Sequence, residues 1–224
     1  QSNIDHQIFS TNIALKFAIN HNAKYSIKTR ADVRINKSNL ETFLISLIKT
    51  FPVKSNSLIK SRIVVPSLIT FKFRIFSLSD IVMFGETNDL LQYFDLELFK
   101  NGLKKFDLNE KKLLKNETPV VAEIFLCARF MNKLDNSINW NLESWWDSLK
   151  NYFCIIDNSS LDLFWHKYDW NYEYRYIRTY SDKFARAIDF QDWLSLYNNS
   201  ENNWRKSSNE HEKYDEFLKL KNIF

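Results

Sequence analysis

The sequence predicts an α+β protein: a small, basic, strand-rich unit over residues 1–79, followed by a larger, aromatic-rich helical unit over residues 80–224. Three observations predict it. Lys and Arg outnumber Asp and Glu by twelve to three over residues 1–79, a balance of +9, which leaves −5 for the rest of a chain of net charge +4. Apolar residues in that first third tend to alternate with polar ones, the two-residue period of strands, whereas after Ser79 they recur at steps of three and four. Two glycines and three prolines in 224 residues are too few for Gly-rich phosphate loops, many tight hairpins or a Pro/Gly-rich linker.

The first unit is predicted to have the order β-β-α-β-β. Asn12–Ile19 and Tyr25–Ile35 read as a hairpin around the turn-prone Asn20-His21-Asn22. Ser38 and Glu41 have the spacing of a capping box, opening a helix through Phe51 whose apolar stripe is Leu40, Phe43, Leu44, Leu47 and Ile48, and Pro52 stops it. Arg62–Val65 and Leu68–Leu78 supply two more strands, the second through the alternation of Phe71, Phe73 and Ile75 with Lys72 and Arg74. Gln1-Ser2-Asn3 resembles the remnant of a cleaved affinity tag, so residues 1–4 are expected to be foreign to the protein and Asp5 onward to be one domain of a longer protein.

The second unit is predicted to be built around Thr118–Leu134, a helix apolar on almost every side. A surface helix shows one apolar stripe, so this one belongs inside others, and it falls short of the ~20 residues that cross a bilayer. Around it come a helix over Asn88–Lys100 capped by Gly102, a short helix over Asp107–Lys115, and Asn141–Ile155, which carries Trp145, Trp146, Leu149 and Phe153 at helical spacing. Ser160–Tyr168 reads as helix, Trp170–Tyr180 as strand, Ser181–Tyr197 and Glu210–Phe224 as helices, with a polar loop between the last two. From Glu117 to Tyr180 this is the element order of a winged helix. Cys127 and Cys154 fall in apolar surroundings and read as buried free thiols, so an intracellular, reducing compartment is the expectation.

The basic third carries the functional expectation. Lys28, Arg30 and Arg34 share parity on one predicted strand and Lys72 and Arg74 on another, which with Arg62 would make a phosphate-contacting face. The predicted function is a non-catalytic nucleic-acid-binding module of a larger protein or assembly. The alternative is a protein-interaction scaffold, docking an acidic partner on the basic sheet or on the face of Tyr172, Tyr174 and Tyr176. A third reading is a metal-dependent nuclease, from Glu110-Lys111-Lys112 with Asp95 or Asp107 upstream. No catalytic residue, metal, cofactor or membrane partner is assigned. His6, His21, His166 and His211 lie far apart, and no His-Glu-x-x-His or Cys-x-x-Cys spacing is present, although Asp162 and Asp169 flank His166 closely enough to orient it as a base.

Overall fold

Short apolar runs, too brief for helices and apolar at successive positions, build a four-stranded mixed sheet at the centre of the molecule. The computed structural model describes residues 4–55, 57–96, 122–135, 139–166 and 187–199. In chain order these form α1 (Ile4–Asn20), β1 (Tyr25–Lys28), β2 (Val33–Ile35), α2 (Leu40–Thr50), β3 (Ile63–Pro66), β4 (Met83–Glu86), α3 (Thr87–Phe94), α4 (Ala122–Leu134), α5 (Leu142–Tyr152), β5 (Phe153–Ile156), a 3₁₀ turn (Asn158–Leu161), β6 (Leu163–Trp165) and α6 (Phe190–Asn198). The protein is α+β, as its composition and periodicity predict.

The sheet order is β1-β4-β3-β5, with β4 antiparallel to β1 and β3, and β5 parallel to β3. Strands from both sides of residue 79 therefore share one sheet. All four residues of β3 and of β5 are buried, the signature of strands covered on both faces. A separate antiparallel ribbon pairs β2 with β6, Val33 opposite Trp165. The central helix meets its expectation over the described part, since Ile124, Phe125, Leu126, Cys127, Ala128, Phe130 and Met131 of α4 are all buried. Trp145 and Trp146 are core residues, and each indole also satisfies a loop carbonyl, Phe71 O at 2.9 Å and Lys72 O at 2.8 Å. Both cysteines are free and buried.

Several elements differ from the prediction, each for a local reason. Asn12–Ile19 is the end of α1, not a strand: Ile4, Ile8 and Leu15 bury one side while Phe9, Ile13 and Phe17 occupy another, which blurs the helical period. Residues 25–35 are two strands in different sheets. The capping box does not form. Asn39 is the N-cap, in the left-handed region at φ 53°, with no side-chain bond. Residues 68–78 make no ladder. The segment is held irregular by Thr70 Oγ1, which donates to Pro66 O and accepts from Ser79 N, and touches strand geometry only at the bridge of Phe71 to Ala187. The winged-helix order fails because the expected third helix is the 3₁₀ turn, a left-handed Asp162 (φ 45°) and β6, while the end of the expected second helix is β5. The expected cap at Gly102, the helices over 107–115 and 210–224, and the strand over 170–180 lie outside the described residues.

Asp89, fully buried in α3, ties the segment before β3 to the sheet. Its carboxylate accepts from Lys60 N, Ser61 N and Ser61 Oγ at 2.8–3.1 Å. Removing a charged acceptor with several buried donors costs about 2–3 kcal/mol. Asp89→Ala is expected to lower stability by that amount in a urea melt, and a loss under about 0.5 kcal/mol, the range of a neutral surface change, would contradict this role.

Candidate functional site

The strand directions gather polar chemistry at one edge of the sheet. The carboxyl ends of β1, β3 and β5 and the amino end of the antiparallel β4 all lie there. In open sheets this is the edge at which ligands bind. Three connections leave it: Thr29–Asp32 after β1, Ser67–Val82 between β3 and β4, and Asp157–Asp162 after β5.

After β1, the segment bridges to β2 and presents Lys28, Arg30 and Asp32. Lys28 Nζ donates to the backbone carbonyl of Asp80. Burial pulls its pKa down from 10.5, opposed chiefly by Asp80. Arg30 grips Asp32 with two bonds, Nε to Oδ1 at 2.9 Å and Nη2 to Oδ2 at 3.1 Å, and lies 5.5 Å from the centre of the Trp165 ring. The Trp165 indole donates to Asp32 Oδ2 at 2.9 Å, and His166 N donates to the Asp32 carbonyl.

Between β3 and β4 the chain is strained and firmly held. Ile69 and Phe76 have φ of 66° and 56°, and a β-branched side chain there is rare. Such residues persist only where surrounding bonds over-determine them, and they concentrate at functional sites. Here the bonds are Ser67 Oγ and Leu68 N to Asn158 Oδ1, Phe71 N to Ser77 O, and Ile188 N to Thr70 O. The segment ends on Asp80, 8% exposed, whose Oδ2 accepts from Gln7 Nε2 at 2.5 Å.

The first turn of α4 adds Glu123. Burial raises its carboxyl pKa; a backbone hydrogen bond opposes this, Asp80 adds to it, and Arg74 lowers it. Tyr93 completes the cluster. It is buried in α3 and coupled electrostatically to Asp80 and Glu123, and among the described residues its hydroxyl has no hydrogen-bond partner. The edge therefore holds carboxylates of unlike environment, Asp32 strongly ionised beside Arg30 and Lys28, and Glu123 pushed toward protonation near Asp80 and Arg74.

Of the six basic residues expected to share one face, the structure brings Lys28, Arg30 and Arg74 to this edge. Arg34 is exposed on the ribbon. Arg62 is 3% exposed and donates to the carbonyls of Phe51, Lys150 and Phe153, while Lys72 is 1% exposed and pairs with Asp192 at 3.3 Å. Tyr172, Tyr174 and Tyr176 lie outside the described residues, as do Asp107 and Glu110–Lys112. Asp95 caps α3 and pairs with Lys133 at 3.6 Å. His166 is exposed at the end of β6. Sequence reading missed Asp32, Asp80, Glu123 and Tyr93 as site members. The available signals were Lys28-Thr29-Arg30-Ala31-Asp32 following a strand and Asp80 directly before the apolar Ile81–Phe84.

The Asp32 carboxyl is held at about 2, against an ordinary 3.8, first by the Arg30 hydrogen bonds and then by the Trp165 indole, with burial opposing. A depressed acid stabilises the fold above its unfolded pKa and loses that contribution as pH falls through the folded value. The stability difference between wild type and Asp32→Asn is thus expected to be constant above pH 3.8 and to shrink toward pH 2. A difference that stays flat across that window in denaturant melts would contradict the Arg30–Asp32 assignment.

Together the fold and site define an α+β protein with a mixed-charge cluster at the carboxyl edge of its sheet. The chain belongs to the WavE lipopolysaccharide synthesis family, whose model matches residues 1–221. No curated protein and no solved structure matches it. Membership overturns the nucleic-acid-binding expectation, and with it the nuclease and the acidic-protein partner, in favour of a setting of glycan and lipid. The physical reason agrees, since Arg62 and Lys72 spend their charge inside the protein. Among the described residues no group of three or more His, Cys, Asp or Glu is placed to hold a metal, and no helix is long and apolar enough to cross a membrane.

Proposed function

We propose that the protein adds a sugar to lipopolysaccharide as it is assembled, and that the carboxyl-edge cluster holds the phosphate-activated sugar and the accepting hydroxyl. The observation that carries this reading is the bond from Lys28 Nζ to the Asp80 carbonyl at the carboxyl edge, with Glu123 coupled to both Asp80 and Arg74. Building a glycan requires a donor sugar whose leaving group is a phosphate. Cations suit that phosphate, and carboxylates suit sugar hydroxyls.

In this reading the acceptor oxygen attacks the anomeric carbon, the bond from that carbon to the phosphate oxygen breaks, and the phosphate leaves with the electron pair. Lys28 meets the negative charge that develops there. Glu123 accepts the hydroxyl proton. Its burial and its Asp80 neighbour raise its proton affinity toward working pH, the tuning a general base needs. Asp80, oriented by Gln7, positions a sugar hydroxyl.

The test is genetic and chemical. Deleting the gene in the source organism is expected to leave lipopolysaccharide short of one sugar by mass spectrometry, and the gene supplied in trans restores it. Lipopolysaccharide of unchanged mass in the deletion strain would overturn the proposal.

A further inference from the structure

Among the described residues the flank of the fold beside β1 is uncovered. β1 ends the sheet order and, among the described residues, pairs with β4 alone. Its Ile27 is 41% exposed, and α1 presents Phe9, Ile13 and Phe17, four residues apart, at 61%, 51% and 63%. Single exposed apolar residues are ordinary, but four large ones beside an open strand edge are not. An open groove of about 440 Å³ runs between the two elements, lined by Ser10, Ala14, Ala18, Ser26, Ile27 and Lys28. The groove thus reaches the carboxyl edge at Lys28.

We propose that this groove seats a further β-strand, parallel to β1 and supplied by the same polypeptide from upstream of residue 1, with adjoining upstream chain covering the Phe9, Ile13 and Phe17 stripe. The topology names the occupant. α1 leads into β1 through the turn at residues 21–24. A helix feeding a strand of an open sheet is the crossover of a strand–helix–strand unit, in which the first strand lies parallel to the second and most often beside it, and the crossover is right-handed. Among the described residues the place beside β1 is the open one. The small side chains of Ser10, Ala14 and Ala18 on the groove wall let another backbone approach closely.

Other occupants fit less well. A lipid surface would bury the aromatic stripe yet leave the outer N–H and C=O groups of β1 without partners. A second copy pairing edge to edge would set Lys24, Lys28 and Arg30 near their own counterparts, a like-charge juxtaposition that opposes association. An upstream strand satisfies both the backbone edge and the apolar stripe. Its carboxyl end would emerge beside Lys28, so it also contributes residues to the site.

The experiment compares hydrogen exchange in the polypeptide isolated from its source organism with exchange in residues 1–224, using β3 amides as the internal reference in each. The source polypeptide is expected to carry sequence before residue 1, and its Tyr25–Lys28 amides to exchange at least about 100-fold more slowly than in residues 1–224. The proposal is overturned if the source polypeptide begins at residue 1, or if these amides exchange equally in both. It is also overturned if residues 1–224 gain the protection on their own, as concentration rises (a second copy), or on anionic vesicles (a membrane).

Discussion

Lys28→Met is expected to reduce sugar transfer by about 100-fold or more while leaving the protein folded, because removing a preorganised group that meets developing charge costs on the order of 10²–10³ in rate. The Lys28 ammonium sits at the end of β1, bonded to the Asp80 carbonyl, with Asp80, Arg30 and Asp32 as its charged neighbours. Met keeps the length and the apolar stem and deletes only the charge, so the stem's packing near Phe94 is preserved. Transfer is measured from nucleotide-activated sugars to lipopolysaccharide extracted from the deletion strain, alongside a thermal melt. Lys28→Met with wild-type transfer would remove Lys28 from the site. Lys28→Arg separates charge from shape: it keeps the cation, and partial activity is expected from it.

The largest stability effect is expected at Arg62. Its guanidinium joins the end of α2 through Phe51 O at 3.0 Å to the end of α5 through Lys150 O at 2.5 Å and to β5 through Phe153 O, and it lies 4.9 Å from the ring centre of Tyr197 and 5.9 Å from that of Trp193. Truncation to Ala leaves a cavity and strands several carbonyls, for a loss of about 3–5 kcal/mol. That is a large share of the roughly 5–15 kcal/mol by which a domain is stable. Arg62→Lys cannot reproduce a planar fork of donors and should recover less than half of the loss. Urea melts of the two variants check this, and an Arg62→Ala loss under about 1 kcal/mol, the size of one ordinary hydrogen bond, would show that the guanidinium is dispensable.

Arg62 also shows where sequence reading stops. Its charge is visible in the sequence, but its burial is created by Phe51, Trp193 and Tyr197, which come from distant parts of the chain. Parity along a presumed strand placed Lys72 and Arg74 on a common face, to which Arg62 was added from another strand, whereas Lys72 pairs with an aspartate 120 residues away. The α+β class, the helix at residues 40–50, the strand at 63–66 and the buried character of α4, Trp145 and Trp146 were legible, because each rests on local periodicity or on a dense apolar run. β5 was hidden because Phe153 continues the helical spacing of Trp145, Trp146 and Leu149, and only the extended backbone at Phe153, φ −120° and ψ 157°, ends the helix. The site was half legible. Lys28 and Arg30 stood out by charge, but Asp80 and Glu123 acquire meaning only when the sheet brings residues 28, 80 and 123 together.

The most direct test of the central claim is a mass measurement. Lipopolysaccharide from the deletion strain is incubated with the purified source protein and a pool of nucleotide-activated sugars, then analysed by mass spectrometry beside parallel reactions with the Lys28→Met and Glu123→Gln proteins. The proposal predicts a gain of one sugar residue with wild type and little or none with either variant. An unchanged mass with wild type, or an equal gain with all three proteins, would contradict a sugar-transfer site at the carboxyl edge of the sheet.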